Sequence, residues 1–406
     1  MLRITSAQLN PTIGDLAGNT ARMVEAARKA WAAQADIVVF PELSLTAYYP
    51  GDMLEEDGFM DRVEAAFHEL LLASRQIPAL HWVVGLPSRH AGAGKKLRNV
   101  LRVIRGGEVL LEYAKQLLPT YNIFDERRHF EPGPDVARVL RIRDVQVGLL
   151  ICEDGWNDEG QDYAVNPFER MRDAAPDLVV SINASPSNIG KREQRHQIFG
   201  AASRRNSLPI LYVNQVGGHD QLVYDGASFA VEPRAGVVWE AQRFGEDVST
   251  LCFDNGRFFT QAGETPPPVA AEGLPTLEFY RRQIVLGLRD YARRCGFRQA
   301  VVGSSGGIDS ALTLALAVEA LGADNVVAIT MPSRFSSQGS VGDSEILCRN
   351  LGIALLSHPI EGIVAGFAGG FESAFGSALQ GVALENLQAR ARGTILMEYS
   401  NSFGHL

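Results

Sequence analysis

The chain has few of the features that mark a protein for nucleic acids or membranes. Its 406 residues contain 38 Lys and Arg against 47 Asp and Glu, and no basic run stands out. This balance argues against a phosphate-backbone partner or an anionic membrane surface. The N-terminal segment MLRITSAQLNP does not resemble a secretory signal, and no apolar run reaches the roughly 18 residues of a membrane span. We therefore predict a cytoplasmic chain without a nucleic-acid or membrane partner.

Cysteine is equally scarce. Four cysteines, Cys152, Cys252, Cys295 and Cys348, are scattered without CxxC spacing, and the eight histidines do not cluster. This pattern fits a reducing compartment and excludes a zinc finger. A lone cysteine is usually a small buried hydrophobic residue, which is our prediction for the last three. Cys152 differs because it directly follows an apolar run, in VGLLICEDGW.

Proline and glycine divide the chain. Its length favours two domains, and the segment AGETPPPVAAEGLP (262–275) can neither continue a helix nor pair as a central strand. We therefore predict a first domain over 1–262, a Pro-rich linker over 263–275 and a second domain over 276–406.

Both domains are predicted to be α/β. Upstream of the linker, short branched runs such as ADIVVF, VQVGLLI and DLVVSIN alternate with helix-length amphipathic segments. Downstream, QAVVGSS, NVVAITM and GIALLSH alternate with helical segments, the order typical of a doubly wound parallel sheet.

Three polar residues follow apolar runs of the first domain. Glu42 follows DIVVFP, Lys115 follows EVLLEYA and Cys152 follows VGLLI. Because strand ends of an α/β domain face the ligand, these side chains are expected to meet. Together they form a covalent-catalysis set: the glutamate takes the thiol proton, the thiol attacks a carbonyl or nitrile carbon, and the lysine stabilises the developing oxyanion. Taken singly, each residue has an ordinary structural explanation.

The segments FPELSLTAYYP, KQLLPTYNIFDERRHFEPG and ICEDGW resemble the nitrilase superfamily. The resemblance covers roughly residues 1–260 and implies an αββα sandwich with Glu42, Lys115 and Cys152 as catalytic triad. SINASPSNIGKREQR resembles the substrate-holding part of glutamine-hydrolysing members, which implies that three further residues contact glutamine: Tyr121, Ser185 and Lys191. The alternatives are core packing for the tyrosine and a surface charge for the lysine.

A glycine-rich turn opens the second predicted helix of the C-terminal domain. VVGSSGGIDSALTLALA places Gly303, Ser304, Ser305, Gly306, Gly307, Ile308, Asp309 and Ser310 between a strand and a helix. Backbone N–H groups at such a position bind phosphate. The turn has neither the lysine of a Walker loop nor the GxGxxG spacing of a dinucleotide site. A tight strand-to-helix turn with incidental glycines is the alternative.

The motif SGGIDS resembles the pyrophosphate-loop family of ATP-cleaving enzymes, although Ser304 stands where that family commonly has leucine. The resemblance implies a Rossmann-like domain in which the turn binds ATP and Asp309 helps to hold Mg²⁺. ENLQARARGTILMEYSN resembles a segment shared by NAD synthetases, which makes Asn386 a candidate contact to deamido-NAD, with Arg390 and Arg392 as weaker candidates. A solvated helix face is the alternative for the two arginines.

A Glu–Lys–Cys hydrolase joined to a pyrophosphate loop resembles the glutamine-dependent NAD synthetases. The resemblance implies small-molecule substrates (glutamine, ATP and deamido-NAD) and a homo-oligomer. A stand-alone amidase or nitrilase, with a remnant or regulatory nucleotide-binding domain, is the alternative. The sequence ends at EYSNSFGHL, where a further strand is expected, so the second domain looks incomplete. We therefore expect that the 406-residue chain alone does not form NAD at a useful rate, unless it is a shorter variant that closes its sheet differently.

Overall fold

In the computed structural model, which describes residues 1–157 and 159–406, the chain forms two units. The first is Met1–Phe279 and the second is Tyr280–Leu406. Residues 261–275 contain no helix or strand. Among the described residues, no helix is both long and apolar enough to cross a bilayer.

The elements of the first unit follow one another in mixed α/β order. They are β1 (Leu2–Gln8), α1 (Leu16–Ala32), β2 (Ile37–Val39), α2 (Asp57–Ser74), β3 (His81–Arg89), β4 (Leu97–Arg105), β5 (Glu108–Ala114), α3 (Glu126–His129), β6 (Val139–Ile142), β7 (Val145–Ile151), α4 (Pro167–Ala174), β8 (Leu178–Asn183), α5 (Lys191–Asn206), β9 (Ile210–Asn214), β10 (Val216–His219), β11 (Leu222–Asp225), β12 (Phe229–Glu232), β13 (Gly236–Glu240), β14 (Asp247–Asp254) and β15 (Arg257–Thr260).

These strands form two large sheets and one hairpin. The seven-stranded sheet has the order β15-β14-β1-β2-β3-β4-β5, and the six-stranded sheet has the order β13-β12-β9-β8-β7-β6. Strands β10 and β11 form a separate antiparallel hairpin. One cluster of buried side chains includes Ile4, Val39 and Val83 from the first sheet and Leu149 and Val180 from the second. The two sheets therefore pack face to face.

Helices cover the outer faces of both sheets. On the seven-stranded sheet, Met23 of α1 and Phe67 of α2 pack with Val38 and Val84. On the six-stranded sheet, Phe168 of α4 and Phe199 of α5 join the central cluster. The central strands are buried on both faces, which explains their nearly uninterrupted apolar runs. The predicted αββα sandwich is confirmed.

The second unit contains a three-stranded parallel sheet with the order β16-β17-β18. From α6 onward, the elements in chain order are α6 (Thr276–Arg294), β16 (Ala300–Ser304), α7 (Ile308–Leu321), β17 (Val326–Thr330), α8 (Gln338–Leu351), β18 (Ala354–Ser357), α9 (Glu361–Phe375) and α10 (Gly381–Phe403).

Helices lie on both faces of this parallel sheet. Leu314 of α7 packs with Ala328 on one face, and Ile395 of α10 packs with Ile329 on the other. The doubly wound, Rossmann-like arrangement is therefore confirmed. At the β16 edge, Leu406 donates to the carbonyl of Gln299 (2.8 Å) and accepts from the N–H of Val301 (2.9 Å), as in a parallel ladder.

The prediction for three of the cysteines is correct for two. Cys252 and Cys348 are buried, whereas Cys295 is exposed. The prediction for Cys295 was wrong because it directly follows the last residue of α6, Arg294, where the chain leaves the helix.

Gly85 of β3 allows the segment that carries Glu42 to lie directly on the sheet. A Cβ at Gly85 would lie 2.6 Å from the backbone nitrogen of Leu43 and 2.7 Å from the carbonyl oxygen of Pro41. The backbone N–H of Leu45 also donates to the Gly85 carbonyl (3.2 Å). Neither contact is with the flexible end of a side chain, so a larger residue would have to displace backbone.

We predict that Gly85→Ala lowers the free energy of unfolding by about 1–3 kcal/mol, the usual cost of overpacking a core. Gly58→Ala is the matched control, because Gly58 lies in the first turn of α2 with only a distant Arg62 atom (4.0 Å) nearby. The control should be unchanged or slightly more stable. Thermal unfolding of the three proteins checks this, and equal midpoints would contradict the rigid contact.

Candidate functional site

Three strand ends bring the predicted triad together. Strand β2 ends shortly before Glu42, β5 ends just before Lys115, and β7 ends just before Cys152. Lys115 Nζ lies 2.7 Å from Glu42 Oε1, and both side chains are fully buried. The Glu42 and Lys115 charges shift the pKa of the Cys152 thiol in opposite directions, Glu42 upward and Lys115 downward. The expected meeting of carboxylate, amine and thiol is therefore found in the geometry.

A second carboxylate, which the sequence reasoning missed, completes this cluster. Glu126, the first residue of α3, is fully buried and its Oε1 accepts from Lys115 Nζ at 2.7 Å. The same oxygen accepts from the Tyr48 hydroxyl at 2.8 Å. The only sequence signal was an acid in the segment DERRHF, shortly after the lysine. Lys115 is therefore fixed between two carboxylates.

Both oxygens of Glu42 accept further hydrogen bonds from neighbouring segments. Asn99 Nδ2 of β4 donates to Glu42 Oε1 (2.8 Å), and the Ala184 N–H, just after β8, donates to Glu42 Oε2 (3.1 Å). Both sheets therefore contribute to the orientation of the predicted base.

Burial and charge set the protonation of this cluster. Burial and the nearby Glu42 charge raise the pKa of Glu126 to about 7, although the Lys115 charge opposes them. Burial lowers the pKa of Lys115, but Glu126 and Glu42 outweigh it, so that pKa lies well above its ordinary value. Burial and then Glu42 raise the pKa of the Cys152 thiol well above its usual range, although Lys115 opposes them. The resting thiol is protonated and requires a base.

Cys152 has a left-handed backbone conformation, with φ of 44°. Asp154 holds the turn that follows it. Its Oδ1 accepts from the backbone N–H groups of Gln116 (3.0 Å) and Leu117 (2.8 Å), and its Oδ2 accepts from the Tyr113 hydroxyl (2.7 Å). Burial raises the pKa of Asp154 to about 6, although the hydrogen bond from Tyr113 opposes this shift. The turn that follows Cys152 is thus bonded to the segment that follows Lys115.

Two of the predicted glutamine contacts lie beside this turn. The Tyr121 hydroxyl donates to the Glu153 carboxylate (3.1 and 3.2 Å), which also accepts from the Tyr163 hydroxyl (2.8 Å). Lys191 Nζ lies 3.9 Å from the centre of the Trp156 ring. Burial and then Arg195 lower the pKa of Lys191, whereas Cys152 and Glu153 raise it. Sequence reasoning missed Glu153, although it directly follows Cys152.

The third predicted contact, Ser185, lies in a buried hydrogen-bond network. Arg195 Nε donates to Ser185 Oγ (3.1 Å) and a second guanidinium nitrogen donates to the Ser185 carbonyl (2.8 Å). Asp225 accepts from the third nitrogen (2.8 Å), and all of these side chains are buried. The neighbouring Ala184 contacts Glu42, so this network positions the segment next to the triad.

In the second unit, part of the glycine-rich turn lines a cavity of 600 Å³. Gly303, Ser304 and Ser305 form one wall, and Thr330 and Arg392 contribute to others. The predicted residues Gly306, Gly307, Ile308, Asp309 and Ser310 follow directly, at the N-terminus of α7 and outside this lining.

Hydrogen bonds fix the shape of this turn. The Ser305 N–H donates to Ser310 Oγ (3.2 Å), and the Gly307 N–H donates to Ser305 Oγ (3.2 Å). Gly306 has φ of +78°, and a Cβ there would lie 2.4 Å from the carbonyl oxygen of Ser340. The hydroxyl of the buried Ser304 donates to Ser344 Oγ (2.8 Å). Asp309 is exposed in the first turn of α7.

The candidate contacts on α10 differ in position. Asn386 is exposed and lies outside the cavity lining, and its carbonyl accepts from Arg390 (3.4 Å). Arg392 lines the cavity, and its Nε donates to the Met331 carbonyl (3.2 Å). The structure therefore brings the weaker candidate, rather than Asn386, to the glycine-rich turn.

Two family models match the chain, one for each unit. The Carbon-nitrogen hydrolase family matches residues 3–257, and the NAD synthase family matches residues 280–406. The fold and sites therefore define a protein in which a carbon-nitrogen hydrolase unit precedes an NAD synthase unit.

Relatives that match over the whole chain define the family further. A glutamine-dependent NAD(+) synthetase of Synechocystis sp. is 40% identical over all of this chain and 73% of its own length. The structure of such a synthetase from Acinetobacter baumannii, in complex with ADP, is 35% identical, with a TM-score of 0.90 over 100% of this chain and 73% of that one. This chain belongs to the glutamine-dependent NAD(+) synthetase family.

The first unit has a wider structural likeness. The NitN amidase of Nesterenkonia sp. AN1 matches with a TM-score of 0.55 and 23% identity, covering 63% of this chain and 94% of that one. At this identity the likeness shows a shared fold alone.

The charge arrangement around Lys115 predicts how the reactivity of Cys152 depends on pH. Below about pH 7 the raised pKa of Glu126 leaves a proton on the carboxylate cluster, and the loss of this negative charge makes the cluster a weaker acceptor of the thiol proton. Alkylation of Cys152 by iodoacetamide should therefore rise through a step near pH 7. In Glu126→Gln one carboxylate is lost and Glu42 stays paired with Lys115, so the step should move to lower pH.

Mass spectrometry of the modified peptides, from pH 5 to 9, measures this. The exposed Cys295 in the same sample controls for the reactivity of the reagent itself. An unchanged midpoint for Cys152 in Glu126→Gln would show that Glu126 does not set the protonation of the cluster.

Proposed function

We propose that this chain hydrolyses glutamine at Cys152 in its first unit and, in its second unit, uses ATP to convert deamido-NAD into NAD with the ammonia released. The observation that carries the proposal is the buried cluster in which Lys115 lies 2.7 Å from Glu42 beside the Cys152 thiol. Membership of the synthetase family, for which the relatives are named, supports it.

The groups at the turn after Cys152 suit the two charges of a free amino acid. The Glu153 carboxylate, already oriented by the Tyr121 and Tyr163 hydroxyls, offers an acceptor for the α-ammonium group. The Lys191 ammonium offers a partner for the α-carboxylate. With Ser185 fixed by Arg195 on the neighbouring segment, the side-chain amide extends toward the thiol.

The chemistry follows from the protonation of the cluster. Glu42 accepts the Cys152 proton as the sulfur attacks the amide carbon, and Lys115 donates a hydrogen bond to the oxyanion. The carbon–nitrogen bond then breaks, the nitrogen takes the proton from Glu42, and ammonia leaves a γ-glutamyl thioester on Cys152. Glu42 next deprotonates a water that attacks the thioester carbon, and the sulfur recovers the proton as glutamate leaves.

In the second unit the glycine-rich turn and the 600 Å³ cavity are suited to a nucleotide. The N-terminus of α7 directs backbone N–H groups toward bound phosphate, and the related Acinetobacter baumannii structure contains ADP. The exposed Asp309 carboxylate lies at this helix end, where it would hold Mg²⁺ and so neutralise phosphate charge. Asn386 as a deamido-NAD contact and the homo-oligomer remain predictions.

The reaction proposed for this unit is an adenylation followed by a substitution. A carboxylate oxygen of deamido-NAD attacks the α-phosphorus of ATP and pyrophosphate leaves. Ammonia then attacks the activated carbonyl carbon and AMP leaves, which forms the amide of NAD.

We predict that Cys152→Ala reduces the rate of glutamate release from glutamine by about four or more orders of magnitude, as in other enzymes that lose their nucleophile. ATP binding should be retained. Cys252→Ala is the matched control, since Cys252 is an equally buried cysteine on β14. Glutamate release and isothermal titration with ATP measure the two effects. Substantial hydrolysis by Cys152→Ala would contradict the thioester, and a parental preference for short amides over glutamine would favour a stand-alone amidase.

We predict that Asp309→Ala weakens the binding of Mg²⁺-ATP about tenfold or more, which corresponds to about 1.4 kcal/mol, but changes ATP binding little in EDTA. Asp324→Ala removes another exposed acid at the opposite end of α7 and should bind Mg²⁺-ATP like the parent. Equal Mg²⁺-ATP affinities for Asp309→Ala and Asp324→Ala would refute the role of Asp309 in holding the ion.

A further inference from the structure

The β10–β11 hairpin places one tyrosine deep beside the triad. Tyr224 of β11 is fully buried, and its ring packs edge-on against Tyr48 (centroids 6.5 Å apart, 78°) and His219 (5.4 Å, 87°). Tyr48 is the residue whose hydroxyl donates to Glu126. Tyr224 is therefore a direct neighbour of the side chains that hold Lys115.

The hairpin that carries Tyr224 is bound to the segment that follows Ser185. The Ser187 N–H donates to the Val223 carbonyl (2.7 Å), and Asp225 pairs with Arg195 (2.8 Å), which itself bonds Ser185. The position of Tyr224 is thus fixed from both sides.

The Tyr224 hydroxyl has no hydrogen-bond partner within the described part of the chain. Four other tyrosines around the site donate to carboxylates: Tyr48 to Glu126, Tyr113 to Asp154, and Tyr121 and Tyr163 to Glu153. A buried unpaired hydroxyl costs about 1–3 kcal/mol. A fold that satisfies these four phenols and leaves the Tyr224 hydroxyl unpaired has a donor available for a ligand.

Tyr224 lies near the charged groups of the predicted triad. Burial, and then the charges of Glu42, Cys152 and Glu126, raise the pKa of Tyr224 well above its ordinary value. The phenol is therefore neutral at physiological pH and donates its proton to an acceptor. Those three groups are the proposed base, the proposed nucleophile and the second carboxylate, and Tyr48, against which the Tyr224 ring packs, donates to the last of them.

We propose that the Tyr224 hydroxyl donates a hydrogen bond to the carbonyl oxygen of the amide that Cys152 attacks, an assignment that rests on the glutaminase function proposed above. A primary carboxamide has a single strong acceptor, its carbonyl oxygen. In the same cluster, Glu126 Oε2 is a buried acceptor without a partner among the described residues. A free donor and a free acceptor match the C=O and NH₂ of a carboxamide.

The proposed contact strengthens as the reaction proceeds, because the carbonyl oxygen becomes an oxyanion in the tetrahedral intermediate. Tyr224 is then a second donor to that oxygen beside Lys115. A donor of this kind contributes mainly to the transition state, so its loss lowers kcat more than it raises KM.

Tyr224→Phe tests the proposal, since it removes the hydroxyl and keeps the ring that packs against Tyr48 and His219. We expect kcat for glutamate release to fall about 100-fold or more, with KM changed less than about twofold. We expect Tm to be equal or higher, because the deleted hydroxyl has no partner in the protein.

Tyr49→Phe is the matched control. It deletes a hydroxyl that donates to the Asp125 carbonyl (3.3 Å), so kcat should stay at the parental value. A parental kcat in Tyr224→Phe overturns the assignment, and so does a loss of activity accompanied by a lower Tm, because that result indicates a structural role. Absence of glutamate release from the parental chain would instead contradict the proposed function itself.

Discussion

The first unit depends on one buried ammonium group. Transfer of an ion into a protein interior costs several kcal/mol unless opposite charges and hydrogen bonds compensate it, and Lys115 is fully buried between Glu42 and Glu126 at 2.7 Å from each. The two carboxylates in turn require donors, which Asn99, the Ala184 N–H and the Tyr48 hydroxyl supply. These partners come from strands of both sheets and from the loops that follow them. The position of each strand end is therefore constrained by the need to neutralise a single charge.

The same cluster explains why the site needs no histidine. Burial, together with the negative charge of Glu42, raises the pKa of Glu126 to about 7 and that of the Cys152 thiol above its usual range, although the Lys115 ammonium opposes both shifts. The resting state therefore contains a protonated thiol beside a pair of carboxylates, one of which, Glu126, has a pKa close to neutral pH. A group poised near the working pH is the role that histidine fills in other thiol enzymes. Here burial and like charge give Glu126 that property, and Lys115 joins Glu126 to Glu42, the proposed base.

The order of strands and helices in both units, and the three residues at strand ends, could be predicted because they are local properties of apolar runs and of the residues that end them. The site residues that the sequence did not reveal depend on contacts between segments that are far apart in the chain. Glu126 matters because it meets Lys115 and Tyr48, which is 78 positions away in sequence, and Asp154 because it bonds Tyr113 and the backbone after Lys115. Nothing in the segment DERRHF distinguishes the buried acid from the exposed Arg127 beside it. The prediction that Cys295 is buried was wrong for a different reason. It rested on the average burial of cysteine in proteins, which takes no account of the position of Cys295 just after the end of α6.

In the second unit the missing Walker lysine raises the question of what balances phosphate charge. The Ser304 hydroxyl is already bonded to Ser344, so it is not a donor to a ligand. Backbone N–H groups at the start of α7 supply partial positive charge only. Among the described residues that line the cavity, Arg392 alone is cationic, and its Nε bond to Met331 leaves the guanidinium end for a further partner. A polyanionic ligand in this cavity therefore has Arg392 as its cationic partner among the described lining residues, whereas the exposed Asn386 lies outside the lining.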